Sequence, residues 1–460
     1  MNIRSRLGTR KFYSRVLSIA IPMMLQNGLT NFVNLLDNLM IGRVGTTSIS
    51  GVAIANQLIF VYYLLIFGAT AGVGIFTAQY YGNGDDEGVR FTFRFKIIAN
   101  LILAVASIAI FAFFSPWLIE QFLQGEGSPE DAAETLVIGV NYMKIILISL
   151  IPIGLSSAYS GTLRDTGHTR VPMIAAFAAI SVNLVGNALL IYGLFGLPRL
   201  GANGAAVATV ISRFVELGVL VIYTGTHSGT HAFIKGAFRG FFIPAGLVRQ
   251  FILKSLPLMA NETLWSVGMT VQNQCYSYRS LDAVAAINIE TTIYNLFNVA
   301  FVAMGEAIGI IVGQQLGAGE IEKGKDTAVK MRDFTVFLGL VFGLLLVAIS
   351  PFFPRLYKTT DAVKFMAMTF IIIVGIYMPA MSYTHASYFI IRAGGNTFIT
   401  FLFDSCFVWV IAVPLAYVLS RYTAVSVQML MILVMGTEFI KCIIGGVMVK
   451  SGMWAKNIVS

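Results

Sequence analysis

Gln79-Tyr80-Tyr81-Gly82-Asn83-Gly84 returns 235 residues later as Gln314-Gln315-Leu316-Gly317-Ala318-Gly319, each time at the end of a long apolar run. Around it Pro22 falls on Pro257, Gly74 on Gly309, the acidic Asp85 on Glu320 and the basic Arg90 on Lys325. A second echo follows in each half at an offset of 228, where Arg164, Gly167 and Thr169 fall on Arg392, Gly395 and Thr397. The chain is two related halves. In a membrane protein such halves form two lobes around a shared cavity, the architecture of a secondary transporter.

Of the 460 residues, 57% are apolar and only 12% charged, against about a quarter charged in a soluble domain, which makes this an integral membrane protein. Its apolar stretches are long enough to cross a ~30 Å hydrocarbon layer as helices. They are continuous rather than alternating, which argues against a transmembrane β-barrel. The pattern predicts twelve spans, at about 16–41, 50–79, 97–119, 134–160, 172–197, 204–224, 255–276, 284–313, 333–354, 363–391, 398–420 and 425–449. The expected fold is an all-α polytopic membrane protein. Six spans per half return each half to its starting side, so the lobes share one orientation about a pseudo-two-fold axis along the membrane normal. Residues 1–224 form the N-lobe, 225–254 a polar inter-lobe linker and 255–460 the C-lobe.

Lys and Arg set the orientation. Twenty-one fall on the side of the N-terminus, within 1–15, 90–96, 164–170, 235–254, 323–332, 392 and 450–456; six, Arg43, Arg199, Arg279, Arg355, Lys358 and Arg421, fall on the other. Both termini are therefore expected in the cytoplasm, with the chain in the cell (inner or plasma) membrane. Topology accounts for the net charge of +9, and a nucleic-acid partner has no extramembrane domain to bind. Met1 to Arg15 is too polar for the apolar core of a cleaved signal, so the first span is expected to act as its own anchor. The linker carries Phe233, Phe238, Phe241, Phe242 and Phe251 among basic residues, a composition that predicts an amphipathic helix on the anionic inner leaflet. Its His227 and His231 read as residues of a solvated loop. Cys275, Cys406 and Cys442 lack paired spacing and read as small apolar side chains, without disulfides or a metal site.

Pro22, Pro152, Pro257, Pro379 and Pro414 each remove a backbone donor inside a span. Pro22 and Pro257, matched between halves, are candidate flex points; the plain alternative is that proline is common in membrane helices.

An ionisable group in hydrocarbon is costly and is a functional candidate unless it has a local partner. Arg213 with Glu216, and Glu438 with Lys441, stand three apart on one helical face and read as local pairs. Asp37, Glu262, Glu290, Glu306 and Asp404 have no partner within their own helices. Asp37 lies toward the outer end of the first span. At ~1.5 Å per residue, Asn183 and Asn187 lie ~20 and ~25 Å from Arg170, and Thr209 ~15 Å in from Arg199. All four share an outer-half level, and the two asparagines, one turn apart, face the same way. One carboxylate beside two amide carbonyls and a hydroxyl suits a hard monovalent cation such as Na⁺, or a proton on the acid. The competing reading is a hydrogen-bonded cluster that glues helices together.

Asn34-Leu35-Leu36-Asp37-Asn38-Leu39-Met40-Ile41-Gly42-Arg43-Val44-Gly45, the twin Gln-x-x-Gly-x-Gly ends of spans two and eight, and Leu163-Arg164-Asp165-Thr166-Gly167 together resemble the multidrug and toxic compound extrusion (MATE) family, closer to its NorM-like and DinF-like bacterial members. The resemblance covers essentially the whole chain. It implies an exporter of organic cations, driven by inward flow of Na⁺ or H⁺, with an N-lobe cation site at Asp37, Asn183, Asn187 and Thr209. It also implies a C-lobe carboxylate at Glu262. NorM-like members typically have an aspartate on span ten about ten residues before the arginine matched by Arg392; here that place holds Ser382, beside Tyr383, Thr384 and His385, which puts their C-lobe site in question. The repeat shows the same asymmetry, since Asp37 aligns with Gln272 and Glu262 with Asn27.

The expected activity is cation-coupled antiport by alternating access. Small organic cations and membrane lipids are the expected partners, and a monomer the expected functional unit. Glu262, Glu290 and Asp404 are the candidate substrate or second-site carboxylates, and 19 Met and 35 Phe offer adaptable apolar surface. A flippase for lipid-linked saccharides or other amphiphiles is the alternative; it calls for several unpaired intramembrane cations to hold pyrophosphate, and those here are few. No nucleophile motif, phosphate loop or metal-ligand spacing supports an enzyme, and no cofactor is expected beyond the transported ion.

Overall fold

A computed structural model describes residues 8–123 and 128–459; Arg4 and Arg6 of the basic N-terminal stretch lie outside them. Regular structure among the described residues is helical throughout. The helices are α1 (Arg10–Gly42), α2 (Thr46–Gly82), α3 (Asp86–Leu123), α4 (Pro129–Ile146), α5 (Leu150–Asp165), α6 (Arg170–Tyr192), α7 (Ala202–Thr226), α8 (Ala245–Ser277), α9 (Leu281–Gly317), α10 (Ile321–Ile349), α11 (Asp361–Ala393), α12 (Thr397–Phe401), α13 (Val413–Tyr422) and α14 (Val427–Ser451). A 3₁₀ turn at Leu147–Ser149 joins α4 and α5 into one crossing ahead of Pro152, and π-helical Leu402–Cys406 and Val408–Ala412 join α12 and α13 ahead of Pro414. Pro22, Pro257 and Pro379 lie within α1, α8 and α11.

Among the described residues these elements form twelve helical segments where the twelve spans are expected, and eleven of them are long and apolar enough to cross a membrane by length and composition. The exception, α8, has the length but carries Asn261, Glu262, Gln272, Asn273 and Gln274. Among the described residues five helices begin on a hydroxyl cap, in which Thr9, Ser128, Ser280, Thr360 and Ser426 accept from the backbone of Phe12, Asp131, Ala283, Val363 and Met429. The outer face of α3 exposes Ile102, Val105, Ile110, Phe113 and Phe114, an apolar surface that needs lipid around it.

Two compact units result. One comprises Leu25–Thr77 and Asp86–Ile252. Its core gathers Val52, Ala55, Ile59, Tyr62, Ala104, Met143, Leu150 and Ala205, and the Tyr62 hydroxyl donates to the Leu150 carbonyl at 2.7 Å. Lys96 lies among the basic residues that orient the chain, yet it is buried here, with its ammonium 2.7 Å from Asp165 of the Leu163–Gly167 motif. Arg164 of that motif donates to Gln26 Oε1 at 2.9 Å, tying α5 to α1.

The other unit comprises Met1–Met24, Ala78–Asp85 and Leu253–Ser460. Val16, Ile19, Ala20 and Met23 of α1 enter its core beside Ala303, Met304, Ala307, Ile308 and Phe389. The ends of α2 and α9 cross at the repeated motif, and the crossing is reciprocal. A Cβ on Gly82 would land on the Gln314 carbonyl oxygen, and one on Gly317 on the Gln79 carbonyl oxygen. Gln79, wholly buried, donates from Nε2 to the carbonyls of Ala393 and Lys456, both at 3.1 Å, and accepts at Oε1 from the Ile458 amide at 2.8 Å. Asn457 donates to the Gly317 carbonyl at 3.2 Å, so the segment after α14 is threaded onto the crossing. The next repeated glycines, Gly84 and Gly319, have φ of 73° and 77°, a left-handed conformation that side chains disfavour.

The linker 225–254 is helical only in part. It holds a single 3₁₀ turn, Ala232–Ile234, and from Ala245 the first turns of α8, which bury Phe251 and expose Arg249 and Gln250. Arg94 ties down the irregular part, its guanidinium binding the carbonyls of Gly236, Ala237 and Phe242 at 2.7, 2.8 and 3.1 Å. Phe233 is buried against Phe93, while Phe238, Phe241 and Phe242 stay exposed. His227 stacks on Tyr223 in the expected exposed setting. His231 instead is buried edge-on to His168, with ring centres 4.6 Å apart. Burial, then the nearby His168 and His227, push His231 down to about 4.

Replacing Gly82 or Gly317 by alanine should lower the melting temperature of the purified protein, since overpacking costs about 1–3 kcal/mol. The two changes act on one crossing, so the double variant should fall short of their sum; full additivity in a melting series would contradict the reciprocal contact. Acidification should loosen the linker. The undocked histidine takes its proton near the ordinary 6.5 and the docked His231 only near 4, so docking weakens as pH falls through that window and is unaffected above it. Hydrogen exchange of residues 227–237, corrected for intrinsic rate, should rise between pH 7 and pH 5, and His231→Phe should flatten the response.

Candidate functional site

Asp37, Asn183, Asn187 and Thr209 come together within the first unit. Asp37 sits five residues before the end of α1, the asparagines are one turn apart on α6, and Thr209 faces them from α7. Asn187 Nδ2 donates to Asp37 Oδ1 at 2.6 Å and to Asn183 Oδ1 at 3.2 Å, and Asn183 Nδ2 lies 3.2 Å from Thr209 Oγ1. With the Asn183 amide turned over, its Nδ2 donates to both Asp37 oxygens at 3.2 Å and its Oδ1 accepts from Thr209 at 3.2 Å. Asn187 is wholly buried, and its Oδ1 has no hydrogen-bond partner among the described residues. A buried carbonyl oxygen without a donor is costly, and beside a carboxylate it is a ready ligand for a small cation.

The pair Arg213–Glu216 forms as the spacing predicts, at 2.9 Å. The same guanidinium lies within electrostatic reach of Asp37, as does Tyr142, whose hydroxyl donates to Asn56 at 3.3 Å. Helical spacing identified Arg213 only as the partner of Glu216, and Asn56 and Tyr142 carry no motif. Arg213 and Tyr142 approach Asp37 through the packing of α4 and α7.

In the second unit Asn261, Glu262, Tyr388, Asp404 and Lys441 share one cluster. Asn261 Nδ2 donates to Asp404 Oδ2 at 3.1 Å and to the Tyr388 hydroxyl at 3.3 Å, and Tyr388 reaches Glu262 Oε1 at 3.5 Å. Arg392 lies within electrostatic reach of Glu262. Lys441 does not pair with Glu438 as their spacing suggests. Its ammonium crosses to Asp404 at 2.6 Å, and Glu438 accepts instead from Thr384 at 2.8 Å. The spacing rule fails here because it compares positions on one helix, whereas Asp404 approaches from the π-helical segment of another. Glu290 stands apart on α9, buried, with the hydroxyl of Thr291 at 3.3 Å.

The serine at this place is a packing residue. Ser382 is buried against α10, where a Cβ on Gly339 would run into its Oγ, and its hydroxyl donates to the Met378 carbonyl at 2.7 Å. His385, adjacent to Asp404 and Lys441 in the electrostatic sense, packs on Phe389 at 5.0 Å between ring centres.

Two repeats of membrane-crossing helices with carboxylates held inside define a membrane transport protein. The chain belongs to the MatE family, whose sequence profile matches residues 22–189 and 257–418, one block in each half. It is 24% identical over 418 residues to the probable multidrug resistance protein NorM of Thermotoga maritima, covering 88% of this chain and 85% of that one. It is also 24% identical over 412 residues to the probable multidrug resistance protein YoeA of Bacillus subtilis, covering 88% and 87%. Among solved structures it is similar to a MATE in the bent conformation, with a TM-score of 0.85 at 18% identity over 98% of each chain. A MOP superfamily transporter from Pyrococcus furiosus gives a TM-score of 0.82 at 18% identity, also over 98% of each chain. These structural likenesses carry the fold alone.

Proposed function

We propose that this protein exports organic cations across the cell membrane in exchange for Na⁺ or H⁺, with both termini in the cytoplasm and the monomer as the working unit. The observation that carries the reading is the unpartnered Oδ1 of buried Asn187, one atom away from the amide nitrogen that grips Asp37. Without a cation, the amides donate to the carboxylate. Rotation of the Asn183 and Asn187 amides would turn two carbonyl oxygens toward it, and with Thr209 Oγ1 these make an oxygen cage around one negative charge. A proton on Asp37 would cancel the same charge with the same partners. Relatives named as probable multidrug resistance proteins support export of drugs as the direction of work.

Coupling follows from competition. Cation at Asp37 and drug in the carrier must favour opposite conformations, since a ligand with equal affinity for both moves neither. Glu262 and Glu290 remain the carboxylates for an organic cation, whereas Asp404 already carries the Lys441 ammonium.

Ethidium efflux from proteoliposomes under separately imposed Na⁺ and pH gradients tests this. One gradient should drive efflux, and Asp37→Asn should reduce that efflux at least tenfold while the protein stays folded and monodisperse. Undiminished gradient-driven efflux by the variant would remove Asp37 from the coupling site, and ion-independent lipid scrambling in place of efflux would favour the flippase.

A further inference from the structure

Lys441, on α14, is 7% exposed, and its Nζ lies 2.6 Å from Asp404 Oδ1 and 5.4 and 5.8 Å from the ring centres of Phe403 and Phe407. Both rings are themselves buried, at 5% and 7% exposure. A carboxylate between aromatic faces is the arrangement that holds an alkylammonium, through charge pairing and the negative faces of the rings. The backbone is built for it. The Leu402–Cys406 segment is π-helical, and such turns recur at functional sites. The second Asp404 oxygen is taken by Asn261 Nδ2 at 3.1 Å, while Ser405 donates to the Asn261 carbonyl at 2.7 Å and so fixes the orientation of the acid.

We propose that Phe403, Phe407 and Asp404 form a cage for a small organic ammonium and that the Lys441 ammonium is its built-in occupant, standing where the second half would otherwise need an exchangeable cation. The two halves then differ in kind. Asp37 is held by neutral amides, with Arg213 committed to Glu216, so its charge is open to an incoming ion. Asp404 is neutralised by the chain itself. Only this contrast rests on the coupling role of Asp37; the cage stands without it. Lys441 is thus a positioning residue, replaceable by a free ammonium of the right size.

The test is chemical rescue of Lys441→Ala in the full-length protein, with methylammonium chloride as probe and sodium chloride at equal ionic strength as control. Methylammonium should raise the melting temperature of K441A in a saturable way and increase its ethidium efflux at least fivefold. It should leave the wild type and the D404N/K441A double variant unmoved. An equal response in wild type and K441A, or one that survives in the double variant, overturns the cage. Should K441A not fold, the neutral double variant decides: if it folds, the lysine is there to balance Asp404, and if it does not, the proposal fails. Asp37→Asn separates this from the coupling reading. A coupling role disproved there leaves the methylammonium response of K441A intact, and a methylammonium shift in the melting temperature of K441A that is lost when Asp37→Asn is added assigns it to the first half and overturns the cage.

Discussion

Where α2 and α9 cross, two carbonyl oxygens occupy the space that two side chains would need. That contact requires glycine at 82 and 317, and it requires both at once, because each glycine sits on the glutamine carbonyl of the other helix. Backbone this close excludes water, so every polar group nearby must find a partner in the protein. The Gln79 amide supplies three such bonds and draws in the end of α11 and the segment after α14. The last turns of α2 are thereby drawn into a unit built chiefly from the second half. The family motif at this place is a packing device, and its repetition reflects the reciprocity of the contact.

Satisfaction of buried charge organises the rest. Asp165 answers Lys96, Glu216 answers Arg213 and Lys441 answers Asp404, so much of the ionisable content within the helices is paired at 2.6 to 2.9 Å. Leaving one member of such a pair alone costs about 3–5 kcal/mol, which keeps these contacts fixed. Asp37 is different. Its hydrogen-bond donors are neutral, and Asn187 beside it keeps an unused oxygen. A cluster made of neutral donors can exchange its bonds to a carboxylate for bonds to a cation with little rearrangement, which an ion pair cannot do.

The twelve crossings and the grouping of Asp37, Asn183, Asn187 and Thr209 were legible from one chain because both depend on periodicity and depth along a helix. Asn183 and Asn187 share a face by their spacing of four, and three helices crossing one membrane bring equal depths together. What failed to show was pairing between helices. Glu438 and Lys441 stand at the spacing of a helical ion pair, yet the lysine turns to Asp404, 37 residues away in sequence. The linker shows the same limit: its composition does not reveal that Arg94, from α3, binds the carbonyls of Gly236, Ala237 and Phe242.

The amino-acid sequence by itself determined the membrane class, the two halves, the succession of apolar helices and the place of each polar residue along its helix, because hydropathy and helical rise are properties of a single length of chain. Tertiary structure alone decided which charge meets which, that Ser382 packs directly on Gly339, and that Gly82 and Gly317 face each other's backbone. Those outcomes depend on the rotation of each helix about its own axis and on its closest neighbour. Both are set when side chains from distant parts of the chain compete for the same few ångströms.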